Sequence, residues 1–245
     1  MGILWLVFCI IKPSHEDFEM HPDNFNFIFT SGGPYGVEYA NKTYNMMKRH
    51  AGYSFKAFCI SDPQEGLNPE ITTIPPEMKV KGWWNKVLGF SKSMPAGWIV
   101  MLDVDILITN SLKPILDYAF MNTKQIAAYS DAIHWMNCKF SSSMMIFKSG
   151  SLDYIYEEFK RQYPAIEDRA GGDQVWIGPY LKEVLYLDEV FPKFKKSLKF
   201  ELGEIKGNEL IIPKKIDDKT CLIDFHGRPK PHEISDVPFV AEHWH

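Results

Sequence analysis

Cysteine is scarce in this chain: 245 residues hold four, Cys9, Cys59, Cys138 and Cys221, with no Cys-x-x-Cys pair among them. That scatter excludes a zinc ribbon and argues against a disulfide framework. Three of the four sit inside apolar runs and read as buried thiols, which suits a reducing, cytoplasmic compartment. Excess charge is absent too. With 27 Lys and Arg against 31 Asp and Glu, the formal charge is −4 and the pI about 6.1, so the chain as a whole does not attract nucleic acid. There is no G-x-G-x-x-G fingerprint, no G-K-[ST] of a Walker loop, no internal repeat and no low-complexity tract. The apolar Gly2–Ile11 segment falls short of a bilayer-spanning length. Neither a positive charge before it nor a small-residue cleavage site after it marks a signal peptide. It reads as a buried strand or accessory piece, with a membrane address as the alternative; membrane association is compatible with the chain and not required by it. With the polar stretch that follows, it makes residues 1–24 an N-terminal extension and linker.

What remains is a core-building chain, 45% hydrophobic, enough for one large α/β domain or two small ones. Phe25 to Thr30 is a short apolar strand feeding the Gly-rich turn Ser31-Gly-Gly-Pro-Tyr-Gly36. Val37, Ala40, Tyr44 and Met47 then repeat at helical spacing, and Gly52 ends the helix. Asn41-Lys-Thr43 matches a glycosylation acceptor but falls inside this helix, so chance explains it. Phe55 to Ile60 is the next strand, closed by Ser61-Asp62-Pro63. Strand, helix, strand predicts a parallel pair with a right-handed crossover, and nucleotide sites form at such carboxyl ends. Asp62 is placed to bond a base or ribose, or is an ordinary turn residue. Residues 63–81 read as surface loop, and Gly82 to Phe90 as a helix. Lys86 lies there among apolar neighbours, snorkelling or reaching a phosphate.

The stretch the chain is organised around is Trp98 to Thr109, in which apolar residues flank Asp103-Val-Asp105. The apolar run reads as a strand buried on both faces, and strand periodicity points the two carboxylates at its end to one side; the alternative is a strand-end turn with two solvated acids. Two acids that repel and lose hydration together call for a cation between them. Downstream, Leu112–Phe120 reads as a helix, Gln125–Ser130 as a strand ending on Asp131, and Phe140–Phe147 as a strand whose serines face a polar pocket. Leu152–Tyr163 and Gly171–Trp176 are helical, Leu181–Asp188 is helix then strand, and 189–219 an irregular flap. Cys221 to His226 is a last strand, followed by the turn Gly227-Arg-Pro-Lys-Pro231. A strand-end His, a Gly allowing close approach and a Lys held by two prolines make a grip on a metal-bound diphosphate.

Taken in order, the strand–turn–helix of Phe27–Met47, Trp-Trp-Asn-Lys at 83–86, Asp-Val-Asp at 103–105, Ser-Ser at 142–143, Gly-Asp-Gln at 172–174 and His-Gly-Arg-Pro-Lys-Pro at 226–231 form a recognisable set. It resembles the retaining GT-A glycosyltransferases of the glycogenin-like and bacterial lipopolysaccharide-galactosyltransferase type, over residues 25–235. The resemblance implies a single Rossmann-like α/β domain over those residues, with a mostly parallel central sheet flanked by helices, and a C-terminal tail at 236–245. It implies a nucleoside-diphosphate sugar donor, a UDP-sugar, and Mn²⁺ (or Mg²⁺) on Asp103, Asp105 and His226. Two carboxylates and an imidazole suit such an ion better than an all-oxygen Ca²⁺ cage. Donor contacts are implied for Thr30, Ser31, Gly32, Tyr35, Asp62, Lys86, Asp103, Val104, Ser142, Gly172, Gly227 and Lys230. Asp173 and Gln174 fall where the family keeps its catalytic contacts to the transferred sugar. The acceptor, whether glycan, lipid or protein, is left open. The chain departs from the family in its Ser-Gly-Gly-Pro turn, in Ser for the usual Asn of the serine stretch, and in the N-terminal extension. Two other readings compete. A haloacid-dehalogenase-type phosphatase also uses Asp-x-Asp, with the first Asp as nucleophile, but on its first strand. A sugar-binding domain without catalysis is the second.

Overall fold

The computed structural model describes residues 24–30 and 35–245; residues 1–23 of the N-terminal extension and 31–34 of the turn, Ser31 and Gly32 among them, lie outside the described residues. Twelve strands are present among the described residues: β1 (Asn24–Thr30), β2 (Ser54–Ile60), β3 (Ile71–Ile74), β4 (Trp98–Leu102), β5 (Leu107–Ile108), β6 (Ile126–Ser130), β7 (Phe140–Lys148), β8 (Val184–Tyr186), β9 (Lys195–Ser197), β10 (Glu204–Lys206), β11 (Glu209–Ile211) and β12 (Leu222–Asp224). The helices are α1 (Val37–His50), α2 (Asn85–Leu88), α3 (Lys113–Asn122), α4 (Asp153–Gln162), α5 (Gly172–Ile177) and α6 (Pro238–His243).

Strand periodicity splits the core in two. Phe25, Phe27 and Phe29 of β1, with Trp98, Val100 and Leu102 of β4, face one cluster; Ile28, Ile99 and Met101 face the other. Tyr39, Ala40, Tyr44 and Met47 of α1 cover the first face together with α3. Val87 of α2, Phe159 of α4 and Trp176 of α5 cover the second. Both faces of the sheet are therefore dry, as an apolar run like Trp98–Leu102 requires. The seven-stranded sheet has the order β3-β2-β1-β4-β7-β6-β8. β1 to β4 pair in parallel, β7 runs antiparallel to both β4 and β6, and β8 is parallel to β6. Asn26, buried in the middle of β1, donates its side-chain amide to the carbonyls of Ala96 (2.9 Å) and Trp98 (3.3 Å), fixing the lead-in to β4. Asn41 of the chance glycosylation match bonds Gly66 and Asn68 across a loop.

Four expectations change. The stretch 98–109 is two strands of two sheets. The Asp103 N–H still continues the β4–β7 ladder to the Ser143 carbonyl (2.9 Å), and a turn then closes from Ile106 N–H to the Asp103 carbonyl (3.4 Å). A strand buried on both faces has no wet side for two acids. The turn buries Val104 and Ile106 instead and leaves the Asp103 and Asp105 side chains 29% and 18% exposed. Residues 63–81 contribute an edge strand, β3. The flap at 189–219 contains β9, which pairs parallel with β12, and the hairpin β10–β11. The stretch set apart as a tail, 236–245, carries α6, whose Phe239 and Val240 sink into the first core beside Trp244.

The small sheet β5-β12-β9 does the positioning. Leu107 and Ile108, directly after the Asp pair, register antiparallel against Ile223 and Leu222. That pairing delivers the end of β12, and with it residues 225–230, to the Asp pair although more than a hundred residues of chain separate them.

Candidate active site at the carboxyl ends of the central strands

Asp103 follows β4 at the carboxyl end of the parallel block, where open α/β sheets place their ligands. Lys86, from α2, is buried beneath it. Its Nζ lies 3.0 Å from Asp103 Oδ1, 3.0 Å from Asp173 Oδ2 and 2.8 Å from Ser142 Oγ. Ser142 in turn donates its hydroxyl to Asp173 Oδ2 (2.7 Å). Lys86 is thus buried and not snorkelling; it ties α2, β7 and α5 to the Asp motif. One ammonium serving two carboxylates leaves this pocket short of positive charge. Burial, with Asp105 and Asp173 close by, pushes the Asp103 carboxyl up to about 7 against the pull of Lys86.

Asp105 faces the same pocket and is held differently. Lys230 Nζ reaches its Oδ2 at 2.5 Å and also donates to the Phe225 carbonyl (2.8 Å); Tyr35 donates its hydroxyl to Asp105 Oδ2 (3.0 Å). Burial and the Asp105 charge raise the Tyr35 phenol, keeping it a neutral donor. The return from β12 to Lys230 passes through Gly227 at φ +66°, where a Cβ would meet nothing within 4 Å, so the glycine answers to backbone conformation and not to crowding. Gly172 is different: besides φ +63°, a Cβ there would come 2.7 Å from Trp83 Nε1, so the indole lies against the start of α5.

Gln174 donates to Asp131 Oδ2 (3.0 Å), and its carbonyl accepts from the Ser142 N–H at 3.5 Å. His226 stands beside this pair. Its Nδ1 is 3.0 Å from Ser197 Oγ, while Nε2 lies 3.7 Å from Asp131 Oδ1 and 3.9 Å from Asp224 Oδ2. Beneath it Lys195 Nζ meets Asp224 Oδ2 at 2.5 Å, with Ser143 donating to the same oxygen (3.3 Å).

The structure therefore gathers Lys86, Asp103, Ser142, Gly172, Asp173 and Gln174 on one side, and Tyr35, Asp105 and Lys230 on the other. Val104 is buried and accepts from Thr43 Oγ1 through its carbonyl (3.1 Å). Thr30, half-buried, and Asp62, exposed, end β1 and follow β2 at the same sheet edge. Of the three residues expected to hold a metal, Asp103 pairs with Lys86, Asp105 with Lys230, and His226 lies against Ser197 and Asp131. Among the described residues no three Asp, Glu, His or Cys side chains are grouped to hold a metal ion. The donor types and the surplus of carboxylate over ammonium nevertheless fit a divalent cation. Sequence reasoning missed Asp131, Lys195, Ser197 and Asp224. Asp131 repeats the signal of Asp103, an acid ending an apolar strand, and Asp224-Phe-His226 repeats the two-residue spacing. Lys195 sits in a stretch with no periodicity.

No protein-family model matches the sequence, and no curated protein matches it either. Solved structures do match the fold. The galactosyltransferase LgtC, in complex with donor and acceptor sugar analogs, aligns at TM-score 0.57 and 13% identity over 89% of this chain and 93% of that one. The chain shares the GT-A fold. An active-site mutant of LgtC aligns at 0.53 and 13% identity, over 84% and 89% of the two chains. The glycosyltransferase GlyE of Streptococcus pneumoniae TIGR4 gives 0.53 and 13% over 69% of this chain, which spans only 46% of that protein. In this GT-A arrangement the Asp motif follows the fourth described strand, with a parallel block before it, so the phosphatase reading, which needs it on the first, loses its topological basis. Among the described residues no helix is long and apolar enough to cross a membrane; the Gly2–Ile11 segment lies outside them.

Proposed function

We propose that this protein transfers a sugar from a nucleoside-diphosphate donor, a UDP-sugar, to an acceptor hydroxyl with retention of configuration. The observation that carries the proposal is the double carboxylate–lysine cluster, Asp103 with Lys86 and Asp105 with Lys230, at the sheet edge of a GT-A fold. In LgtC, which has that fold, the solved complex contains donor and acceptor sugar analogs. In transfer the bond between the anomeric carbon and the diphosphate oxygen breaks, and the acceptor oxygen bonds to that carbon. Charge grows on the departing diphosphate, so fixed positive charge beside it lowers the barrier. Lys230 supplies it from the Gly227 turn, the diphosphate competing with Asp105 for its ammonium. Asp103, Asp105 and His226 would hold a divalent ion, Mn²⁺ or Mg²⁺, which would supply Lewis-acid charge to the same leaving group. Lys86 and Ser142 orient Asp173 as an acceptor for sugar hydroxyls, and Asp131 orients Gln174. Asp62 and Thr30 border the donor's nucleoside.

The test is donor hydrolysis over a panel of UDP-sugars with Mn²⁺. The wild type is expected to release UDP from at least one of them, and Asp105→Ala to lose about 100-fold or more while remaining folded by circular dichroism. A rate unchanged in Asp105→Ala overturns the assignment. Metal-independent sugar binding with no hydrolysis favours the non-catalytic sugar-binding domain, and release of phosphate from a simple phosphate ester revives the phosphatase.

A further inference from the structure

We infer that the acceptor is a saccharide whose pyranose ring stacks on Phe200 at the rim of the site. This rests on the transferase reading for its chemistry and on separate residues for its evidence. Phe200 lies in the helical turn Leu198–Leu202 after β9, where Leu198 is buried and Leu202 packs against the first core. Phe200 between them stays 43% exposed, with Lys199 Nζ 5.7 Å from its ring centroid. Its backbone is nonetheless held in place. The Phe200 N–H donates to Ser197 Oγ (3.3 Å), the same oxygen that lies 3.0 Å from His226 Nδ1, and Glu201 accepts from the Ser197 N–H (2.7 Å). The Phe200 and His226 ring centroids are 5.7 Å apart with planes inclined at 53°. Because β9 and β12 are parallel neighbours, Phe200 and His226 leave their strands at the same edge.

An exposed aromatic ring beside the polar groups around His226 matches a ligand that is itself two-faced. A pyranose offers an apolar C–H face to a phenyl ring and hydroxyls to polar groups such as those around His226. A lipid chain would need a longer apolar surface. The exposed apolar residues of the neighbouring hairpin do not supply it: Ile205 pairs with Leu210 and Ile211 with Glu204, so Ile205 and Ile211 point to opposite faces.

Saturation-transfer NMR with methyl β-galactopyranoside and methyl β-glucopyranoside, in the presence of UDP and Mn²⁺, tests this. Wild type is expected to transfer magnetisation to the ring C–H protons of at least one glycoside. Phe200→Ala and Phe200→Leu should bind it about tenfold more weakly, and Phe200→Trp should keep it. No glycoside binding to wild type overturns the inference, as does a Leu variant equal to wild type or an Ala variant without effect. Titration with UDP by calorimetry separates the two readings. UDP binding without glycoside binding defeats this inference alone. Glycoside binding through Phe200 without UDP binding leaves the platform standing and removes the transferase.

Discussion

Two buried lysine–aspartate pairs flank the same strand, and they are built for different ends. On one side of β7, Ser142 joins Lys86 to Asp173 and Asp103; on the other, Ser141 and Ser143 join Lys195 and Asp224. The second pair is sealed, with side chains 6% and 4% exposed, one ammonium against one carboxylate. The first shares one ammonium between two acids, and Asp103 remains 29% open. Sealed and balanced, Lys195–Asp224 serves the scaffold that holds His226 and β9. Lys86–Asp103–Asp173 is more open and leaves carboxylate charge in excess of ammonium.

The sharpest way to break that contrast is to remove each lysine. Lys195→Met strands a buried Asp224 and is expected to cost about 3–5 kcal/mol in urea unfolding, with most of it recovered when Asp224→Leu is added. If the loss is small, the pair is not the scaffold element described. Lys86→Met should cost less, about 1–3 kcal/mol, because Asp103 already takes up a proton readily. The penalty should be larger at pH 8 than at pH 5. The next test is the pH dependence itself. A carboxyl whose folded value lies above its unfolded one binds its proton more tightly when folded. Its contribution is intact below the ordinary 3.8 and is lost as pH rises towards about 7. Melting temperatures of Asp103→Asn should therefore fall less than wild type across that window; parallel curves would show that Asp103 is not the strained acid. The smallest effect is at Gly172→Ala, where φ +63° and the Trp83 indole oppose a Cβ. About 1–2 kcal/mol of destabilisation is expected, with a shift in tryptophan emission as Trp83 is displaced.

Legibility follows the same division. β1, α1, β2 and α4 were readable because each carries its own period: alternating faces around Phe25, Phe27 and Phe29, or the helical repeat of Val37, Ala40 and Tyr44. β3 and β9 were not, since strands of four and three residues carry too few alternations to stand out from the Pro- and Lys-rich sequence around them. The turn within Trp98–Thr109 was legible only as an alternative. Both halves of that stretch are apolar enough for a doubly buried strand, and only the desolvation of the two acids forces the turn between them. Lys86, Ser142 and Asp173 were singled out residue by residue, yet their mutual contact was not, and the place of Asp131 beside Gln174 and His226 went unseen.

Composition and local pattern were enough to specify an α/β chain with a buried central strand ending in paired acids, because those signals reside within a few neighbouring residues. Which lysine answers which acid, how His226 comes to lie beside Asp131, and how β5 draws β12 across the chain were settled by strand order and packing. Such contacts join residues remote in sequence, and no local period records them.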